Sequence, residues 1–155
     1  MRNLLDIDRQ AVVREALEWV DVPYKLRGKT KDGIDCSQLV LAVYRNSLGL
    51  NLISDTNRPF LASWLFVTLD VIPSEKLLVG DLVFYCRQPR PKGRIATSTA
   101  IYIGNGKIVH ASLRLRKVAI ESILDYPGLL LTSKNPTVIE QWYKEIAELY
   151  PSLAG

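Results

Sequence analysis

The segment Gly33-Ile34-Asp35-Cys36-Ser37-Gln38-Leu39-Val40-Leu41-Ala42-Val43-Tyr44 (residues 33–44) reads as an entry into a helix. Asp35 is a good N-cap, because its carboxylate can accept from an unpaired N–H of the first turn. Leu39, Val40, Val43, Tyr44 and Leu48 then recur as an apolar stripe, and Gly49 supplies a stop. Cys36 therefore opens the helix. There the free backbone N–H groups carry partial positive charge, which favours thiolate.

Upstream, Val12, Val13, Ala16, Leu17, Trp19 and Val20 recur at helical intervals behind Asp8, and this first helix should end before Pro23. Residues 25–33 are rich in Lys, Arg and Gly and read as a surface loop. Downstream, Thr56 or Asn57 is the expected cap of a short third helix with Pro59 near its start and residues 60–67 as its body.

After Gly80 the period changes to that of strands. Leu82, Phe84 and Cys86 alternate with Val83 and Tyr85, and two further strands, 99–103 and 107–112, flank Gly104-Asn105-Gly106, a hairpin signal. A fourth strand is expected over 115–120. Asn135-Pro136 then caps a last helix with Ile139, Trp142, Tyr143, Ile146 and Leu149 as its stripe. Helices, then an antiparallel meander, then a closing helix make an α+β arrangement.

With 155 residues, 48% hydrophobic and 23% charged, the chain has the size and composition of one globular domain, 1–155, with a helical extension from about 135. The longest apolar run, near 61–69, is far short of the roughly 20 residues a membrane helix needs, so no membrane span is expected. Residues 1–10 carry Asp6, Asp8 and Arg9 and lack the apolar core of a secretion signal. The expectation is a chain cut beforehand or made in the cytoplasm, with Cys36 and Cys86 as free thiols.

A net charge of +4 and a pI near 9.1 favour anionic partners in general. The basic stretches Arg87, Arg90, Lys92, Arg94 and Arg114, Arg116, Lys117 read first as a solvated loop and an exposed strand face. Aromatic residues fall in periodic core patterns rather than between the basic ones, so nucleic-acid binding is not the expectation. One histidine and two distant cysteines give no zinc spacing, and no glycine loop cradles phosphate. Neither a metal nor another cofactor is expected.

Pro23-Tyr24, Gly28, Gly33, Asp35-Cys36-Ser37 and the helix with Leu39-Val40 resemble the nucleophile segment of NlpC-type cell-wall endopeptidases. Gly80-Asp81-Leu82-Val83-Phe84-Tyr85 resembles that family's first core strand, and Ile101-Tyr102-Ile103-Gly104-Asn105-Gly106-Lys107-Ile108-Val109-His110-Ala111-Ser112 its histidine-bearing strands. The blocks stand in family order over residues 23–112. The resemblance implies a papain-like fold, with N-terminal helices on a central antiparallel sheet. It also implies a thiolate that attacks an amide of the peptidoglycan stem peptide, commonly between D-glutamate and a diamino acid.

Carried over by position, Cys36 is the nucleophile and Tyr24, Asp35 and Ser37 line the substrate side, Asp35 serving as the helix cap. His110 falls where the family orients its base. The base itself belongs just before the aliphatic-Tyr-Ile-Gly stretch, and there this sequence has Ser98-Thr99-Ala100. Ser98 thus takes the base position, and a neutral hydroxyl cannot deprotonate a thiol near neutral pH. Gln38 is a second departure, standing where the family usually has glycine.

Strand parity leaves two pairings open. A three-residue Gly104-Asn105-Gly106 loop sets Ala100 opposite His110, with Ser98 on the same face, whereas a two-residue Asn105-Gly106 loop puts Thr99 there.

Two functions follow. The first is a cysteine peptidase or amidase acting on stem peptides, in which Cys36 and His110, assisted by Ser98, do the chemistry; the retained Asp35-Cys36-Ser37, Tyr24 and His110 tilt the reading this way. The second is an inactive module of the same type that binds wall peptide or serves as a structural part of a phage tail or injection assembly. Delivery to the wall by lysis, a phage tail or an injection system is the expectation for a chain made without an export signal.

Overall fold

The computed structural model describes residues 5–70 and 72–154. Its elements are α1 (Asp6–Leu17), β1 (Lys29–Thr30), β2 (Gly33–Ile34), α2 (Cys36–Leu48), α3 (Leu61–Thr68), a 3-10 turn (Ser74–Lys76), β3 (Leu82–Cys86), β4 (Ser98–Gly104), β5 (Lys107–Ser112), β6 (Lys117–Ser122), β7 (Leu129–Leu131), α4 (Pro136–Leu149) and α5 (Pro151–Ala154). The five-stranded sheet has the order β6-β5-β4-β3-β7 and is antiparallel throughout. The expected α+β class is observed.

The period of two along β3 to β6 sorts side chains onto two faces. Phe84, Ile101, Val109 and Val118 meet the helices, where Val12, Ala16, Leu39, Val40, Val43, Leu65, Trp142 and Ile146 complete the main core. The indole of Trp142 packs edge-on against Trp64, with ring centroids 4.9 Å apart, so α4 is part of the core rather than an appendage. Val83, Tyr85, Ala100 and Ile108 form a smaller cluster with Tyr102 and Tyr126 on the opposite face.

Helix ends depart from expectation where a backbone conformation replaces a side-chain cap. Leu5, in extended geometry, precedes α1, so the helix begins two residues before Asp8, which falls in its first turn. Phe60 enters α3 at φ 56, and Thr56 and Asn57 do not cap it. The last stretch of the expected first helix, Trp19 and Val20, is a turn, although Trp19 is buried.

The hairpin combines the two pairings weighed from sequence. Gly104 pairs with Lys107 around Asn105-Gly106, and a bulge between Tyr102 and Gly104 then shifts the register so that Ile101 faces Val109. Continued by one residue, that register sets Ala100 beside His110. The fourth strand lies at 117–122 rather than 115–120, because residues 113–116 make the turn. The short β7 carries no alternation of its own and is recruited by pairing with β3.

Candidate functional site

The start of α2 is held from two sides. The Asp35 carboxylate accepts from the N–H of Gln38 at 2.9 Å and from the N–H of Arg27 at 3.0 Å, while the Ile34 N–H donates to the Pro23 carbonyl at 3.0 Å. The loop before α2 folds back on itself so tightly that a Cβ at Gly28 would lie 2.3 Å from the Gly33 carbonyl oxygen. Only glycine fits there. Together these contacts fix Cys36 as the first residue of the helix.

The thiol does not meet an imidazole. The Cys36 sulfur has Ser37 Oγ at 3.8 Å; Ser98 lines the same cavity, and its hydroxyl and the Thr99 N–H lie near enough to draw the thiol's pKa down. Burial pushes the Cys36 thiol up from its ordinary value, and the adjacent Asp35 charge pushes it further. Neighbouring hydrogen-bond donors pull the other way and offset this only in part.

Ser98 is 4% exposed, and its Oγ accepts from the Tyr126 hydroxyl at 2.6 Å. A neutral hydroxyl in that arrangement is a donor and a weak acceptor, and takes no proton from a thiol near pH 7.

His110 lies on the same face and is 1% exposed. Its Nε2 is 2.6 Å from a Glu121 oxygen, so the proton is assigned to Nε2 and Nδ1 is the bare nitrogen. Nδ1 is buried without a hydrogen-bond partner among the described residues. The ring meets Tyr126 edge-on at 4.7 Å, and Glu121 also accepts from Arg114. Burial draws the His110 pKa below its ordinary value despite the Glu121 carboxylate. Among the described residues no hydrogen bond joins His110 to Cys36.

Each residue singled out from sequence is therefore accounted for. Cys36, Ser98, His110 and Tyr24 line one cavity of about 800 Å³. A second cavity, of about 570 Å³, contains Asp35, Ser37 and Gln38 and shares Tyr24, Cys36, Arg94 and Thr97 with the first. The two form a groove that crosses the thiol. Gln38 donates through Nε2 to the Thr56 carbonyl at 2.7 Å, tying the helix start to the loop before α3. Cys36 and Cys86 are both free thiols.

Sequence reasoning missed Glu121 and Tyr126. Glu121 lies two residues beyond Ala119, the partner of His110 across β5 and β6, and so shares its face. Placing the strand end at 120 hid it. Tyr126 sits in the turn after β6, where no period predicts direction.

The basic stretch 87–94 is not simply a solvated loop. Arg90 is bound by Glu145 through both carboxylate oxygens, at 2.9 and 2.7 Å, and Arg87 and Arg94 line the groove.

The family model described as "NlpC/P60 family" matches residues 21–127. The Murein DD-endopeptidase MepS/Murein LD-carboxypeptidase of Escherichia coli (strain K12) is 32% identical over 137 residues, which cover 88% of this chain and 61% of that protein. The Gamma-DL-glutamyl hydrolase of Bacillus subtilis (strain 168) is 28% identical over 142 residues, covering 83% of this chain and 32% of that one. This chain thus spans about three fifths or less of the length of these relatives.

Among solved structures, the NlpC/p60 domain of the peptidoglycan hydrolase SagA superposes with a TM-score of 0.63 at 23% identity, over 81% of this chain and 98% of that one. RipD of Mycobacterium tuberculosis, described as a non-catalytic NlpC/p60 domain protein, gives 0.60 at 19% identity, over 81% and 93%. The helices on a five-stranded antiparallel sheet are the papain-like arrangement of these domains. By the match over residues 21–127, the chain belongs to the NlpC/P60 family.

Proposed function

We propose that this chain binds peptidoglycan stem peptide in the groove across Cys36 without cleaving it at an appreciable rate. Amide hydrolysis by a thiol needs a base to form the thiolate and an acid to protonate the leaving amine. One observation carries the reading: the side chain at the expected base position, in the cavity that Cys36 lines, is the Ser98 hydroxyl, itself hydrogen-bonded to Tyr126. A hydroxyl performs neither proton transfer near pH 7. His110 is held by Glu121, with its second nitrogen buried, and removing one member of such a catalytic unit costs on the order of 10⁴ or more in rate.

A slow cysteine hydrolase is the second reading. It is favoured by Cys36 itself, which lines the groove at a helix start. Sedimentation with purified peptidoglycan separates the two. Binding that persists without soluble peptide accumulating supports a binding module; release of peptide that disappears in Cys36→Ala supports the hydrolase.

A further inference from the structure

We infer that Arg94 recognises a carboxylate on the peptide lying across Cys36, and that α4 holds Arg94 in position to do so; the inference rests on the peptide-binding reading above and adds the charge of the ligand. The four cations of residues 87–94 are not equivalent. Arg90 is occupied by Glu145, Lys92 meets Glu148 at 2.8 Å on the exposed surface, and Arg87 is exposed at the rim. Arg94 is half-buried and has no carboxylate partner among the described residues. It lines both cavities beside Tyr24 and Cys36.

The guanidinium of Arg94 lies 5.1 Å from the Phe60 ring centroid, an arrangement that covers one face and leaves its edge donors for a ligand. A half-buried cation without a counter-ion is best satisfied by an anion, and a planar guanidinium matches a carboxylate in two-pronged fashion.

The backbone at Arg94 is fixed by a part of the chain beyond residues 21–127, the family match. Glu145 accepts from the Gly93 N–H at 2.7 Å, and Trp142 donates through Nε1 to the Gly93 carbonyl at 2.8 Å. Gly93 is thus pinned on both sides by one face of α4. Its φ is +81, and a Cβ there would lie 2.8 Å from Leu149 and 2.9 Å from Phe60. On the other side of Arg94, the N–H groups of Ile95 and Ala96 donate to Ser63 Oγ at 3.0 and 3.2 Å. Glu145 is neutralised by Arg90, so it holds the loop without cancelling the charge of Arg94. In this role Glu145 and Trp142 are positioning residues.

The test is titration calorimetry with two synthetic peptides, L-alanyl-γ-D-glutamyl-L-lysyl-D-alanine amide and the same peptide with the D-glutamyl α-carboxylate amidated. The folded chain should bind the acid about tenfold or more tightly than the amide, the scale of a charge-assisted hydrogen bond. Arg94→Gln should abolish that difference, weakening binding of the acid far more than binding of the amide. Arg94→Lys should recover part of it, and Glu145→Gln, checked for folding by circular dichroism, should narrow it. Equal binding of the two peptides by the unmodified chain, or equal weakening of both in Arg94→Gln, overturns the inference and leaves the binding reading standing. Binding of neither peptide overturns both.

Discussion

The Tyr126 hydroxyl donates to Ser98 Oγ at 2.6 Å, and Ser98 lines the same cavity as Cys36. The consequence for the thiol is direct. With burial and the Asp35 charge both raising its pKa, Cys36 should react with iodoacetamide at a rate that climbs only above about pH 8.5, the ordinary thiol range. Alkylation followed by mass spectrometry across pH 6–10 measures it. A plateau reached below pH 7 would show a thiolate that the geometry does not provide.

Asp35 has two roles that a pair of variants separates. Asp35→Asn keeps an oxygen to accept from Gln38 and removes the charge, so the Cys36 pKa should fall while stability changes little. Asp35→Ala also removes the cap and should cost about 1 kcal/mol, within the usual range for such a loss. Denaturant midpoints and alkylation profiles of the two variants check both halves.

His110 predicts a pH dependence of stability. Its folded pKa lies below the ordinary 6.5, so the unfolded chain binds the proton more readily. The contribution is fully present above about pH 6.5 and is lost as pH falls towards the lower folded value. The urea midpoint should therefore drop between pH 7 and 5, and His110→Gln should flatten that part of the curve. An equal drop in the variant would assign it to other groups.

Trp142 ties the C-terminal helix to the groove. It is fully buried, packs edge-on against Trp64 and donates to Gly93, so Trp142→Ala should destabilise by about 3 to 5 kcal/mol, as large core truncations do. Equilibrium unfolding in urea gives the value. A loss below about 1 kcal/mol would mean that α4 is not part of the core.

Much of this arrangement was legible before the structure. Asp35 as cap, Cys36 as first helical residue and Gly49 as stop are local matters of hydrogen bonding and backbone freedom, and all three are observed. The strands around Asn105-Gly106 follow from period and turn chemistry. What period cannot convey is how a helix and a sheet approach each other. The shared cavity of Ser98 and Cys36, the Glu121 grip on His110 and the reach of Tyr126 from a turn are products of tertiary packing. The helix start that would lower the thiol's pKa is visible in sequence, whereas the burial that raises it is not.

The central claim is that Ser98 is what keeps Cys36 from reacting. Digestion of purified peptidoglycan, followed by chromatography of released peptides, tests it with the unmodified chain, Ser98→His and Ser98→His combined with Cys36→Ala. The account predicts no release above background by the unmodified chain, release by Ser98→His, and its loss in the double variant. Release by the unmodified chain that Cys36→Ala abolishes would contradict it.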